Sequence, residues 1–69
     1  MYHIKSTDSE GATEYYIRTP NGYRWTPFLD QRTILRRVEA LEVIRVINAQ
    51  QRFLDAEERR VVELTKDTL

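Results

Sequence analysis

The chain has 69 residues, 41% of them hydrophobic, with eleven basic and eleven acidic side chains and a net charge of zero. A chain of this length forms one domain with a marginal core, burying only about 60% of its unfolded surface; with no cysteine and a single histidine, His3, it excludes disulfides, thiolate metal sites and His-rich metal clusters. The zero balance argues against an obligate nucleic-acid binder, and no apolar run approaches the roughly 20 residues of a membrane span.

Tyr2 to Lys5 alternates and reads as a short strand with Tyr2 and Ile4 on one face. Ser6 to Gly11 is polar and reads as a loop, while Thr13–Thr19 and Tyr23–Thr26 are rich in β-formers and read as two further strands. Thr19-Pro20-Asn21-Gly22 joins the last two. Pro presets φ for a type I turn and Gly accepts the left-handed conformation that follows, which favours a three-residue loop with a Gly bulge. In that register Tyr15, Ile17, Tyr23 and Trp25 share an apolar face, and Tyr16, Arg18, Arg24 and Thr26 share the other. A two-residue loop would put Arg18 with Trp25 and Ile17 with Thr26, so the three-residue loop is expected. The aromatic cluster of Tyr15, Tyr23, Trp25 and Phe28 is expected to form core under a helix in preference to a stacking platform for single strands.

Pro27 ends the strand, and Asp30 is the expected N-cap of a helical segment, with Leu29 and Ile34 at the staple positions. From Gln31 to Asp67 there is neither Gly nor Pro. At about 100° per residue Ile34, Val38, Leu41 and Ile44 lie along one side, and Val43, Ile47, Leu54, Val61 and Leu64 along nearly the opposite side. Between Val38 and Ile47 only Glu39, Glu42 and Arg45 leave a polar wedge, so cover on most sides is needed. Asp55-Ala56-Glu57-Glu58 either starts a second helix or continues the first. The expected fold is therefore a single α+β domain over residues 1–69. An antiparallel hairpin or three-stranded sheet in residues 1–28 precedes one long or two shorter helices in residues 30–67. A homodimer is expected, with Val43, Ile47, Leu54 and Val61 at its seam.

No residues combine into a catalytic constellation, for Ser6 and Ser9 have no paired base and Glu57/Glu58 and Asp8/Glu10 read as solvated acids. No cofactor and no enzyme activity are expected. Charge is uneven along the chain: Arg32, Arg36, Arg37, Arg45 and Arg52 outweigh the acids of residues 30–54, whereas Asp55, Glu57, Glu58, Glu63 and Asp67 make the last fifteen residues acidic. Arg45, Arg52 and Arg59 recur every seven residues, yet Glu42, Asp55 and Glu58 lie within intrahelical reach, so a solvated face is expected there. Tyr and Arg dominate binding energy at interfaces. The candidate partner-binding residues are accordingly Tyr16, Arg18 and Arg24 on the outer hairpin face, joined by Arg32 and Arg36 at the helix start. Residues 1–5 carry no apolar signal core, which points to the cytoplasm.

The format of a Tyr/Trp hairpin (TEYYIRTPNGYRW) leading into an Arg/Glu helix (ILRRVEALEVIRVINAQQRFLDAEERR) resembles the small accessory proteins with which bacteriophages disable host factors. Within that group it is most similar to the phage anti-quorum-sensing proteins; anti-CRISPR proteins share the format. The resemblance spans the whole chain and rests on size, layout and composition, with no motif, so no functional residue is carried over. It implies a dimeric inhibitor, acting in the host cytoplasm, that blocks a LuxR-type transcription activator and also the ATPase that drives pilus assembly. A small DNA-binding transcription regulator is the alternative from another class.

Overall fold

A computed structural model describes residues 1–68. Its order is β1 (Tyr2–Thr7), β2 (Thr13–Thr19), β3 (Gly22–Thr26), α1 (Arg37–Gln50) and β4 (Val61–Lys66), with single 3-10 turns at Leu29–Gln31, Gln51–Phe53 and Ala56–Glu58. The four strands form one antiparallel sheet in the order β3-β2-β1-β4. The fold is α+β, as the sequence implies.

The helical region is much shorter than expected, and a fourth strand replaces its second half. Val61-Val62-Glu63-Leu64-Thr65-Lys66 is β-branched at three of six positions, and β-branched side chains suit a pleated surface better than a helix. β1, with β2 on one side, offers its other edge, and β4 fills it from Tyr2↔Lys66 to Thr7↔Val61. Leu64, read along a helix by its spacing, points together with Val62 onto the sheet face that carries Ile4. Residues 33–35 are likewise not helical. β1 and β2 pair only from Lys5↔Tyr15 to Thr7↔Thr13 and then diverge. The gap is filled by Thr33, whose N–H donates to the Tyr16 carbonyl at 3.0 Å, and by Leu35, which exchanges two 2.8 Å bonds with Tyr2. α1 therefore starts seven residues after Asp30, with Arg36 at its N-cap. There the Glu39 carboxylate accepts the Arg36 N–H at 3.4 Å. The guanidinium cannot accept in return, so this cap is one-sided.

The hairpin register also differs from expectation. Thr19 pairs with Gly22, Arg18 with Tyr23, Ile17 with Arg24 and Tyr16 with Trp25. The loop is Pro20-Asn21 alone, and Gly22 absorbs the reversal inside the strand at φ 138°. Tyr16 thus joins Tyr23 and Trp25 on the helix-covered face, and Tyr15 and Ile17 go to the other. The expectation assumed that one hairpin face is solvated. Both are covered in part, because residues 27–32 cross the second face. Thr26, 1% exposed, donates its hydroxyl to Gln31 Oε1 and accepts the Phe28 N–H there.

The core is Ile4, Tyr16, Leu35, Ala40 and Ile47, flanked by Tyr2, Trp25, Val43, Ile44, Val62 and Leu64. On the second face a buried polar triad ties three distant segments. Asp67 accepts from Arg32 Nε (3.0 Å) and Nη2 (2.7 Å) at Oδ1, and from His3 Nδ1 (3.0 Å) at Oδ2. Burial pushes the Asp67 carboxyl up, but the bonds from Arg32 and His3 outweigh it and hold the group below its usual value. No helix among the described residues is long and apolar enough to cross a membrane.

Candidate functional site

α1 lies over β1 and β4. It leaves the helix-facing side of the β2–β3 hairpin only partly covered, and a shallow apolar cleft of about 210 Å³ opens between them. Its floor is Tyr16, 4% exposed, with Ile47 behind it. Tyr23 stacks on Tyr16 at 5.5 Å between ring centroids, and Trp25 meets both rings edge-on. Val43 and Val46 form the helical wall and Glu42 the rim. Tyr23 and Val46 are the two lips, each 38% exposed. Val43 and Ile47 fall on successive turns of one helical stripe, with Val46 beside them, so the wall follows from α1's periodicity once the helix is placed.

The rim carries charge. Arg45 donates Nε to Glu42 Oε2 at 3.0 Å, and that bond holds the Glu42 carboxyl below and the Arg45 guanidinium above their usual values. Arg18 is the cross-strand neighbour of Tyr23 and is exposed on the same side. On β3 the backbone groups of Tyr23 and Trp25 point away from β2, since Thr19↔Gly22 closes the loop and the bonding pairs alternate from there. The cleft therefore borders a free sheet edge.

The five residues expected to bind a partner do not converge. Tyr16 is core and forms the cleft floor, the opposite of the outer-face position expected for it. Arg18 borders the cleft, while Arg24, paired with Ile17, lies on the other face. Arg32 is spent on Asp67 and on the Leu29 carbonyl, and Arg36 sits exposed at the N-cap. The four residues of the expected seam do not form one helical stripe. Ile47 is buried at 2% and Val43 lines the cleft, whereas Leu54 follows the 3-10 turn after α1 and Val61 opens β4. These four never shared a helix. Of the two lips, Tyr23 was expected in the core and Val46 was not singled out from sequence. The near-all-round apolarity of residues 38–47 was the available signal, because Val46 lies within it.

A second concavity of similar size is lined by Asn48, Gln51, Arg52, Arg59 and Arg60. Two of its three guanidiniums are committed. Arg59 donates to the Leu54 carbonyl at 3.0 Å, and Arg60 donates to Glu14 at 2.7 Å and to Ser6 at 3.2 Å, its guanidinium carbon lying 5.4 Å from the Trp25 ring centroid. The expected Arg45/Arg52/Arg59 stripe is broken, because α1 ends at Gln50. No cluster of three or more His, Asp or Glu side chains that could hold a metal ion occurs among the described residues. No family model, curated protein or solved structure matches the chain.

Proposed function

We propose that this chain is a non-catalytic protein-binding module whose α1/hairpin cleft takes an apolar or aromatic side chain of its partner. The observation that supports this reading is the pair of half-exposed lips, Tyr23 and Val46, over an aromatic floor and beside a free strand edge. Rigid aromatic walls around a small apolar recess are the usual setting of an interface hot spot, and the free β3 edge allows the partner's backbone to add alongside. The format shared with phage anti-host proteins extends the proposal to an inhibitor of a host target. A LuxR-type transcription activator comes first and the pilus-assembly ATPase second.

The test is binding of purified candidate targets to wild type, Val46→Asp, Arg18→Ala and Arg24→Ala, each checked for folding by circular dichroism. Val46→Asp places a charge in the recess and is expected to weaken binding by about a hundredfold. Arg18→Ala should weaken it modestly and Arg24→Ala not at all. A folded Val46→Asp that binds like wild type removes the cleft from the reading, and no binding of either target removes the host-inhibitor extension.

A nucleic-acid reading draws on the Arg52/Arg59/Arg60 concavity. It is weaker because Arg59 and Arg60 are already hydrogen-bonded within the chain. A gel shift with a steep salt slope would favour it.

A further inference from the structure

The sheet has two edges, and they differ. β3 is short and runs into Pro27. β4 is six residues long, contains no Pro, and among the described residues packs chiefly against β1 and, above it, α1. Its pairing to β1 shows which backbone groups are free. Asp67 N–H bonds the Met1 carbonyl at 2.8 Å, so residues 61, 63 and 65 bond β1 as well, and Val62, Leu64 and Lys66 present N–H and C=O outward. Such an edge is a template for another strand unless charge or Pro blunts it.

We propose that β4 pairs antiparallel with β4 of a second copy of this chain, about a two-fold axis through Leu64, to make an eight-stranded sheet. Three features select a second copy as the occupant. The first is register. The outward groups of Val62, Leu64 and Lys66 allow pairing centred on Leu64, which sets Val62 against Lys66 and Glu63 against Thr65. Centring on Glu63 instead sets two carboxylates face to face, which is unfavourable.

The second is helix spacing. α1 straddles β1 and β4, so its axis lies about one strand spacing, roughly 4.8 Å, from the proposed axis of symmetry. Two copies of α1 then lie antiparallel on one face at about 9.6 Å, within the 8–10 Å at which helices pack. An unrelated strand added at β4 would leave this helix flank open.

The third is what that flank carries. Val43 and Val46 point to the hairpin cleft. By the helical period Leu41 and Asn48 lie on the opposite flank, above the β4 edge. Leu35 pairs with Tyr2 opposite Lys66, and Gln51 pairs with Arg60, so α1 runs the length of β4 and Leu41 falls nearer the Lys66 end, at the level of Leu64. Leu41 is 41% exposed. The two-fold brings Leu41 against its own copy, which covers it. The proposed dimer is therefore built through the fourth strand and not through a helical seam.

The consequence is bivalency. The cleft sits over β2, on the side away from β4, so both clefts stay open on one face, roughly 24 Å apart by strand spacing. That arrangement suits a partner that is itself two-fold symmetric, and linking two sites raises avidity without new contacts. The dimer stands apart from the cleft reading, and its failure leaves that reading intact.

The chain has no cysteine, so a single engineered one reports the geometry. With helix axes about 9.6 Å apart and Cα atoms about 2.3 Å from each axis, the two Leu41 Cα atoms lie about 5 Å apart, within disulfide reach. The expected results are a wild-type mass twice 8.3 kDa by light scattering at high micromolar concentration, and rapid oxidation of Leu41→Cys to a covalent dimer. Phe53→Cys, exposed at a site remote from the axis, should stay monomeric under denaturing electrophoresis. Leu41→Arg should remain folded and raise the dimer dissociation constant at least about tenfold. A monomeric wild type at high micromolar concentration overturns the proposal. So does a dimer that cross-links through Phe53→Cys and not through Leu41→Cys, or one that Leu41→Arg leaves unchanged.

Discussion

Replacing Arg60 by Met tests how the fold holds its fourth strand. Arg60 lies just before β4, and its guanidinium reaches across the sheet to Ser6 and Glu14 while lying over Trp25. The Arg60 backbone is clamped by Gln51, whose side chain accepts its N–H at 2.5 Å and donates to its carbonyl at 3.1 Å. Met keeps the length of the stem and removes the charge. The Glu14 pair is about a quarter exposed on each side, so it contributes less than a buried pair, about 1 kcal/mol. The cation over the ring adds about 0.5–1 kcal/mol and the Ser6 bond about 0.5 kcal/mol. These contributions share one guanidinium and are not independent, so the expected loss is about 2 kcal/mol. For a domain of this size that lowers Tm by about 8–16 °C. Thermal unfolding followed by circular dichroism measures the loss, and Trp25, the only tryptophan, reports the local change by fluorescence. Glu14→Gln in the Arg60→Met background should then cost little further. A Tm within about 2 °C of wild type with unchanged Trp25 emission would refute the assignment of Arg60 as the anchor of β4, because about 2 kcal/mol cannot hide in so small a shift.

Three further outcomes follow from the fold. Asp67 is held below its unfolded value of about 3.8, so its stabilising effect is fully present above that pH and is lost as pH falls through the lower folded value. Asp67→Asn should therefore destabilise the protein at neutral pH and flatten the acid limb of stability against pH; an unchanged acid limb would show the triad to be idle. Gly22→Ala should cost about 1–2 kcal/mol by denaturant unfolding from backbone strain alone, since a Cβ there meets no atom within 4 Å while φ is 138°. Ile47→Ala should cost about 2–5 kcal/mol, as for a core residue, and a loss below 1 kcal/mol would place Ile47 at an interface after all.

The residues themselves determined the strands β1 to β3, a reversal within Thr19–Gly22 but not its length, the break at Pro27, and the excess apolarity of residues 38–47. Each depends on φ restrictions, turn chemistry or side-chain period, and these act over a few residues. Three matters were decided only in three dimensions. Val61–Lys66 has a pattern compatible with helix or strand, and the open edge of β1, about sixty residues earlier in the chain, made it a strand. The hairpin register turned on whether the second sheet face is covered, and residues 27–32 cover it through Thr26, Gln31 and the Arg32–Asp67 pair. Tyr16 consequently became the floor of the cleft and not a contact residue, and Arg18 and Arg24 were parted to opposite faces. His3 and Asp67 stand 64 positions apart, and no local signal links them. Local chemistry fixes β1 to β3 and the break at Pro27, but the last strand, the free edge and the covered face depend on contacts between segments far apart in the chain, and those bear on where a partner can dock.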